Sequence, residues 1–199
     1  MKKAILYLHG KNGSCLEAEQ YRGACAGFDV IGVDYKDGPV WTVQDSIRGA
    51  YDAARGEYAA VSLLANSIGA YFAMHTLQSC PLEKALFLSP VLDMERLILN
   101  MMGWAGVTEE ELRERGEIPT EFGETLSWSY LRFVREHPIK WEVPTEILYG
   151  ERDELISREM VDAFVRGHSA GLTVMRGGEH WFHTREQMRF VYEWIKRVL

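Results

Sequence analysis

In the run Leu63-Leu64-Ala65-Asn66-Ser67-Ile68-Gly69-Ala70 a serine stands where an apolar, strand-like stretch gives way to a helical one. A sharp strand-to-helix turn holds such a serine strained and exposed, ready to act as a nucleophile, and it needs small residues two positions to either side. Ala65 and Gly69 fill those positions, with Ala65 where the common G-x-S-x-G pattern has its first glycine. The same serine could instead do no more than cap the helix expected over Ser67–Leu77. A serine hydroxyl attacks well only when a neighbouring base takes its proton, so the motif gains meaning from what else the chain supplies.

The candidate base lies in Arg176-Gly177-Gly178-Glu179-His180-Trp181-Phe182-His183, a glycine-tethered loop between an apolar run and the last helical stretch. Histidine suits proton transfer near neutrality because its unperturbed pKa is about 6.5. His180 is the first choice and His183, three residues on, its rival. The pair lacks the i, i+4 spacing of H-E-x-x-H and no motif fixes a third ligand, so no metal is expected. Of the other histidines, His9 reads as part of a turn framework, His75 as a residue of the helix after Ser67, and His137 and His168 as surface residues.

A histidine base is commonly oriented by a carboxylate. Leu148-Tyr149-Gly150-Glu151-Arg152-Asp153-Glu154-Leu155 carries three acids just past a strand-like run, and Asp153 is preferred, although an acidic loop often serves only solvation. Asp93, in Ser89-Pro90-Val91-Leu92-Asp93, is the alternative acid or else a helix cap. The turn Leu8-His9-Gly10-Lys11-Asn12-Gly13-Ser14 could supply a backbone N–H, from Lys11 or Asn12, that joins the N–H of Ile68 in donating to a tetrahedral oxyanion. Its bland alternative is a plain glycine turn.

These residues need a scaffold that brings several strand ends to one edge. Short apolar runs at Ala4–Leu8, Val30–Asp34, Ala59–Asn66, Ala85–Leu88, Glu146–Tyr149 and Leu172–Met175 alternate with amphipathic stretches, the pattern of an α/β protein with a mainly parallel sheet covered by helices on both faces. Ligands of such folds bind at the carboxyl edge of the sheet. Ser157 to His168 reads as a capped helix, and Thr184-Arg185-Glu186-Gln187 is a capping box that opens the last one.

Between Ser89 and Pro144 no strand-like run is seen, and residues 90–143 are expected to form a small helical cap inserted into a single domain spanning 1–199. Thr108 to Glu111 is a second capping box, and Leu126, Tyr130, Phe133 and Val134 follow at helical spacing. The insertion is rich in apolar residues beyond what a short helix buries, so Trp104, Met101 and Trp128 are expected to contribute to a substrate pocket.

Composition excludes several classes. The net charge of −7 and the lack of a basic run argue against nucleic acid as a partner. Cys15, Cys25 and Cys80 show no C-x-x-C spacing, which suits a reducing compartment rather than a disulfide framework. No stretch reaches the roughly 20 apolar residues that span a bilayer, and the apolar run after Lys2-Lys3 is too short for a signal peptide. No membrane partner and a cytoplasmic location are expected.

Taken together, the motifs resemble the α/β-hydrolase fold superfamily, and more narrowly its compact bacterial serine hydrolases, carboxylesterase-like or serine-peptidase-like, over nearly the whole chain. Ser67, Asp153 and His180 fall in that family's chain order, and Gly150 with Asp153 matches its G-x-x-D pattern. The resemblance implies a Ser-Asp-His triad with Ser67 as nucleophile, an oxyanion hole from Lys11 or Asn12 with Ile68, a small-molecule acyl substrate and no cofactor. A serine at position 67 disfavours the chemistry of relatives that use aspartate there. Ester cleavage is the first expectation; a peptidase, a thioesterase or a ligand-binding protein that turns nothing over are the alternatives.

Overall fold

The structure is a computed structural model in which residues 2–199 are described. Six parallel strands form one sheet: β1 (Lys3–Leu8), β2 (Phe28–Gly32), β3 (Ala60–Asn66), β4 (Ala85–Leu88), β7 (Thr145–Gly150) and β8 (Ala170–Met175), in the order β2-β1-β3-β4-β7-β8. They are the six strands expected, β4 with the same bounds and the others with one or both ends shifted by one or two residues. The central strands β3 and β4 are buried on both faces, as parallel strands under helical cover must be.

On one face Ile5, Tyr7, Leu64, Leu88 and Leu148 pack with Tyr21 of α1 (Ala18–Tyr21) and with Val191, Trp194 and Ile195 of α8 (Arg185–Val198). Alternation along the strands turns Leu6, Leu8, Leu63 and Phe87 the other way, and α2 (Val40–Glu57) and α3 (Ile68–Leu77) pack on each other and on β1 and β3. The last helix starts at the expected capping box, Thr184 accepting from the Gln187 N–H.

The sequence order reverses at β1. The chain leaves β1 toward β2 on one side and returns to β3 on the other, so the loops after β1 and β3 part at a topological switch point, where ligands of open sheets bind. Cys25 and Cys80 are buried thiols, and burial pushes the Cys25 pKa up to about 11. Among the described residues no helix is long and apolar enough to cross a membrane.

The chain divides into two compact units, Met1–Leu92 with Lys140–Leu199, and Asp93–Ile139. The second is narrower than the 90–143 read from the sequence, and it is not wholly helical. It contains α4 (Met94–Ala105), α5 (Glu109–Arg115), β5 (Glu117–Pro119), β6 (Thr125–Ser127) and α6 (Trp128–Glu136). The antiparallel pair β5–β6 sets Ile118 opposite Leu126, both buried, and so takes Leu126 out of the helix that sequence spacing gave it. Three-residue strands are too short to show a period, which is why the hairpin escaped.

Local caps account for the helix starts. Asp93 accepts from the Arg96 N–H, and Thr108 with Glu111 forms the expected reciprocal box. The Arg135 guanidinium ties α6 to Glu95 of α4 and, through two parallel bonds, to Glu109 of α5. That pairing raises the Arg135 pKa and lowers that of Glu109. Leu97, Ile98 and Met102 are buried, whereas Trp104 is 53% exposed with its ring edge-on to Phe122.

Candidate active site

Ser67 sits between β3 and α3 with φ 51° and ψ −120°, a conformation that costs a non-glycine residue energy and persists only where its surroundings enforce it. Backbone hydrogen bonds do so here. The Ser67 N–H donates to Leu88 O at 2.9 Å, and its carbonyl accepts from the N–H groups of Val91 and Ala70. A β-carbon at Gly69 would lie 2.5 Å from His9 O and 2.7 Å from Leu8 O, so only glycine lets α3 start this close to the end of β1. Ala65, fully buried in β3, is accommodated. The Ser67 side chain does not cap α3. Its hydroxyl lies 2.9 Å from His180 Nε2 instead.

His180 is held from the other side. Its Nδ1 is 2.8 Å from Asp153 Oδ2, and the second oxygen of that carboxylate accepts from the N–H groups of Leu155 and Ile156 at 3.0 and 2.9 Å. The Asp153 side chain is 0% exposed and that of His180 24%. A carboxylate facing Nδ1 selects the tautomer with the proton there, which leaves Nε2 to accept from the Ser67 hydroxyl. Nearby, burial and then the Asp153 charge raise the Tyr149 pKa, and its hydroxyl donates to Ile156 O.

The loops that carry the acid and the base are knitted together. Arg152 N–H donates to Gly178 O at 2.7 Å, Glu151 N–H to Met175 O, and the Glu151 carboxylate accepts from the Gly177 N–H. Gly150 permits this: a β-carbon there would stand 2.5 Å from Glu179 O and 2.7 Å from Gly178 O. Glu151, one of the ambiguous acids of the sequence, thus braces the His180 loop.

The loop after β1 closes a turn from Gly10 to Gly13, with the Gly13 N–H donating to Gly10 O and Asn12 at φ 59°, the positive value that the third position of a type II turn requires. The Asn12 N–H donates to Asp37 Oδ2 at 2.7 Å. Of the two residues expected from the sequence to offer a donor beside Ile68, Lys11 or Asn12, the Asn12 N–H is thus engaged by Asp37. Ser67 and His180 open into a cleft of about 480 Å³ whose lining includes Gly10, Lys11, Asn66, Leu155 and Trp181.

Other candidates fall outside this relay. His183 Nδ1 faces Trp181 O at 2.8 Å and its ring stacks on Trp181. His9 is buried, its two ring nitrogens facing the carbonyls of Gly10 and Tyr35, so it serves the turn framework as expected. Asp93 caps α4, and Glu154 is exposed. The residues lining the cleft all belong to the sheet unit, whereas Trp104, Met101 and Trp128 belong to the Asp93–Ile139 unit. Sequence reading missed Glu17 and Asn66, which also line the cleft. The spacing Ser14-x-x-Glu17, a capping box realised in the structure, was the available signal for Glu17.

No family model and no curated protein sequence matches the chain. Solved structures do. Est1E from Butyrivibrio proteoclasticus, in a structure with ferulic acid bound, matches with a TM-score of 0.78 and 17% identity, over 100% of this chain and 88% of that one. Alpha/beta hydrolase domain-containing protein 10 from mouse gives 0.77 at 14% identity, over 98% and 88%. The proline iminopeptidase-related protein from Thermus thermophilus gives 0.63 at 21%, over 100% and 89%. At such identities the likeness is one of fold: the chain has the α/β-hydrolase fold.

Proposed function

We propose that the protein is a serine hydrolase that cleaves an ester-type acyl bond through an acyl-enzyme on Ser67. The observation that carries the reading is the relay from Ser67 Oγ to His180 Nε2 and from His180 Nδ1 to Asp153, at 2.9 and 2.8 Å, on a serine held in a strained turn at the switch point of the sheet. In this reading His180 takes the hydroxyl proton as Oγ attacks the substrate carbonyl. The N–H groups of Lys11 and Ile68 stabilise the tetrahedral oxyanion. The imidazolium, stabilised by Asp153, then protonates the departing alcohol oxygen, and a water molecule attacks the acyl-enzyme by the reverse sequence of proton transfers.

The experiment is direct. The parent protein should hydrolyse short p-nitrophenyl esters and be labelled by a fluorophosphonate, and Ser67→Ala should lose the label and lower kcat by about 10⁶. Equal turnover by the two proteins would overturn the reading.

A further inference from the structure

Beside the cleft that holds Ser67 lies a second cavity of about 270 Å³, and the two share Glu17, Asn66 and Trp181 in their linings. Past this shared rim the second cavity has mixed walls, with Tyr21, Leu88, Phe182 and Met188 beside the polar Gln20 and His183. Trp181, 68% exposed, forms an open lip.

The two polar groups on the rim differ in a way that specifies a ligand. Glu17 is fixed: the Tyr7 hydroxyl donates to Oε2, and the Ser14 N–H donates to Oε1 at 3.2 Å. Burial, Tyr21 and the bond to Glu17 all push the Tyr7 pKa far up, so that hydroxyl keeps its proton. Each carboxylate oxygen has two lone-pair sites, so Glu17 can take a further donor. Gly13 leaves it room, since a β-carbon there would stand 2.9 Å from Oε1. Asn66, half-buried and next to Ser67, makes no side-chain hydrogen bond among the described residues. Its amide can both donate and accept.

An acceptor and a donor-acceptor at the mouth of a recess with mixed walls match a group that itself donates and accepts. We propose that the recess is a substrate subsite for a body of mixed polarity, such as a substituted ring, that bears a hydroxyl at the rim, the hydroxyl donating to Glu17 and accepting from Asn66. This inference rests on the reading of Ser67 as the nucleophile. A methoxy group offers Glu17 no proton, and a carboxylate would be repelled by it.

The test measures kcat/KM for p-nitrophenyl phenylacetate and for its ring-hydroxylated, methoxylated, aminomethylated and carboxylated forms. The hydroxylated ester should exceed its methoxylated counterpart by about tenfold, the range of one hydrogen bond to a charged group. That ratio should shrink severalfold in both Glu17→Gln and Asn66→Ala. Asn66→Ala keeps the test sound if Glu17→Gln disturbs the fold, because the Asn66 amide holds no bond that folding needs. A parent that hydrolyses the plain ester with a ratio near one, or a ratio unchanged in both variants, would overturn the subsite and leave the hydrolase reading standing. An aminomethylated ester preferred over the hydroxylated one would replace it with a cation site. Failure on the plain ester itself would remove the hydrolase reading and the subsite with it.

Discussion

Asp153 and Asp93 each stand at the start of a turn and each accept backbone N–H groups, yet their surroundings differ in kind. Asp153, after β7, spends one oxygen on the amides of Leu155 and Ile156, which fixes its plane, and turns the other onto His180, its own side chain fully buried. The Asp93 side chain, exposed at the head of α4, accepts from the Arg96 N–H. The same contrast extends to their units. In the sheet unit, position is enforced by close backbone approach at Gly69 and Gly150, where no side chain fits. In the Asp93–Ile139 unit the ties between helices include ion pairs whose side chains are at least a third exposed. Geometry that must be held to a fraction of an ångström belongs to the first kind of support, because exposed pairs contribute little and are screened by salt.

The two acids offer the sharpest way to break this comparison. Asp153→Asn presents an amide to Nδ1, favours the wrong tautomer and should lower kcat by about 10⁴ with the fold intact by circular dichroism. Asp93→Asn should cost at most about 1 kcal/mol of stability and leave ester turnover near the parent value. A severe kinetic loss confined to Asp93→Asn would invert the assignment of the acid.

Next in size is Gly150→Ala. The added methyl group meets the carbonyls of Glu179 and Gly178, so the His180 loop has to move away from Asp153. Overpacking of this kind should cost about 1–3 kcal/mol in denaturant unfolding, and a displacement near 1 Å should lower kcat by about 10². Stability lost without any kinetic change would show that the glycine serves the fold alone.

The smallest effect is expected at Arg135→Ala, which removes the pairs to Glu95 and Glu109. Its Tm should fall slightly at low salt and converge on that of the parent as salt rises from about 0.05 to 0.5 M, with turnover unchanged. A large, salt-independent drop would mean that packing of the Arg135 stem, rather than its charge, holds the three helices.

Much of this molecule is legible from near neighbours along the chain. Strand runs such as Ala85–Leu88, the capping boxes at Thr108 and Thr184, and the small residues flanking Ser67 are all encoded within a few positions, because backbone conformation, caps and amphipathic faces depend on residues up to about four apart. The order of Ser67, Asp153 and His180, each after a strand, could likewise be read before any contact between them was seen.

What the tertiary structure decided involves partners far apart in sequence. Asp37 takes the Asn12 N–H, which separates it from Lys11. Glu151 reaches across to Gly177, and Ile118 meets Leu126 in a hairpin too short to show a period. Glu17 and Asn66 come to one rim only because the loop after β1 folds over the end of β3. Local sequence limits which conformations a segment can adopt, but which donor meets which acceptor across the sheet edge is settled only when the burial of the whole core fixes where the strand ends lie.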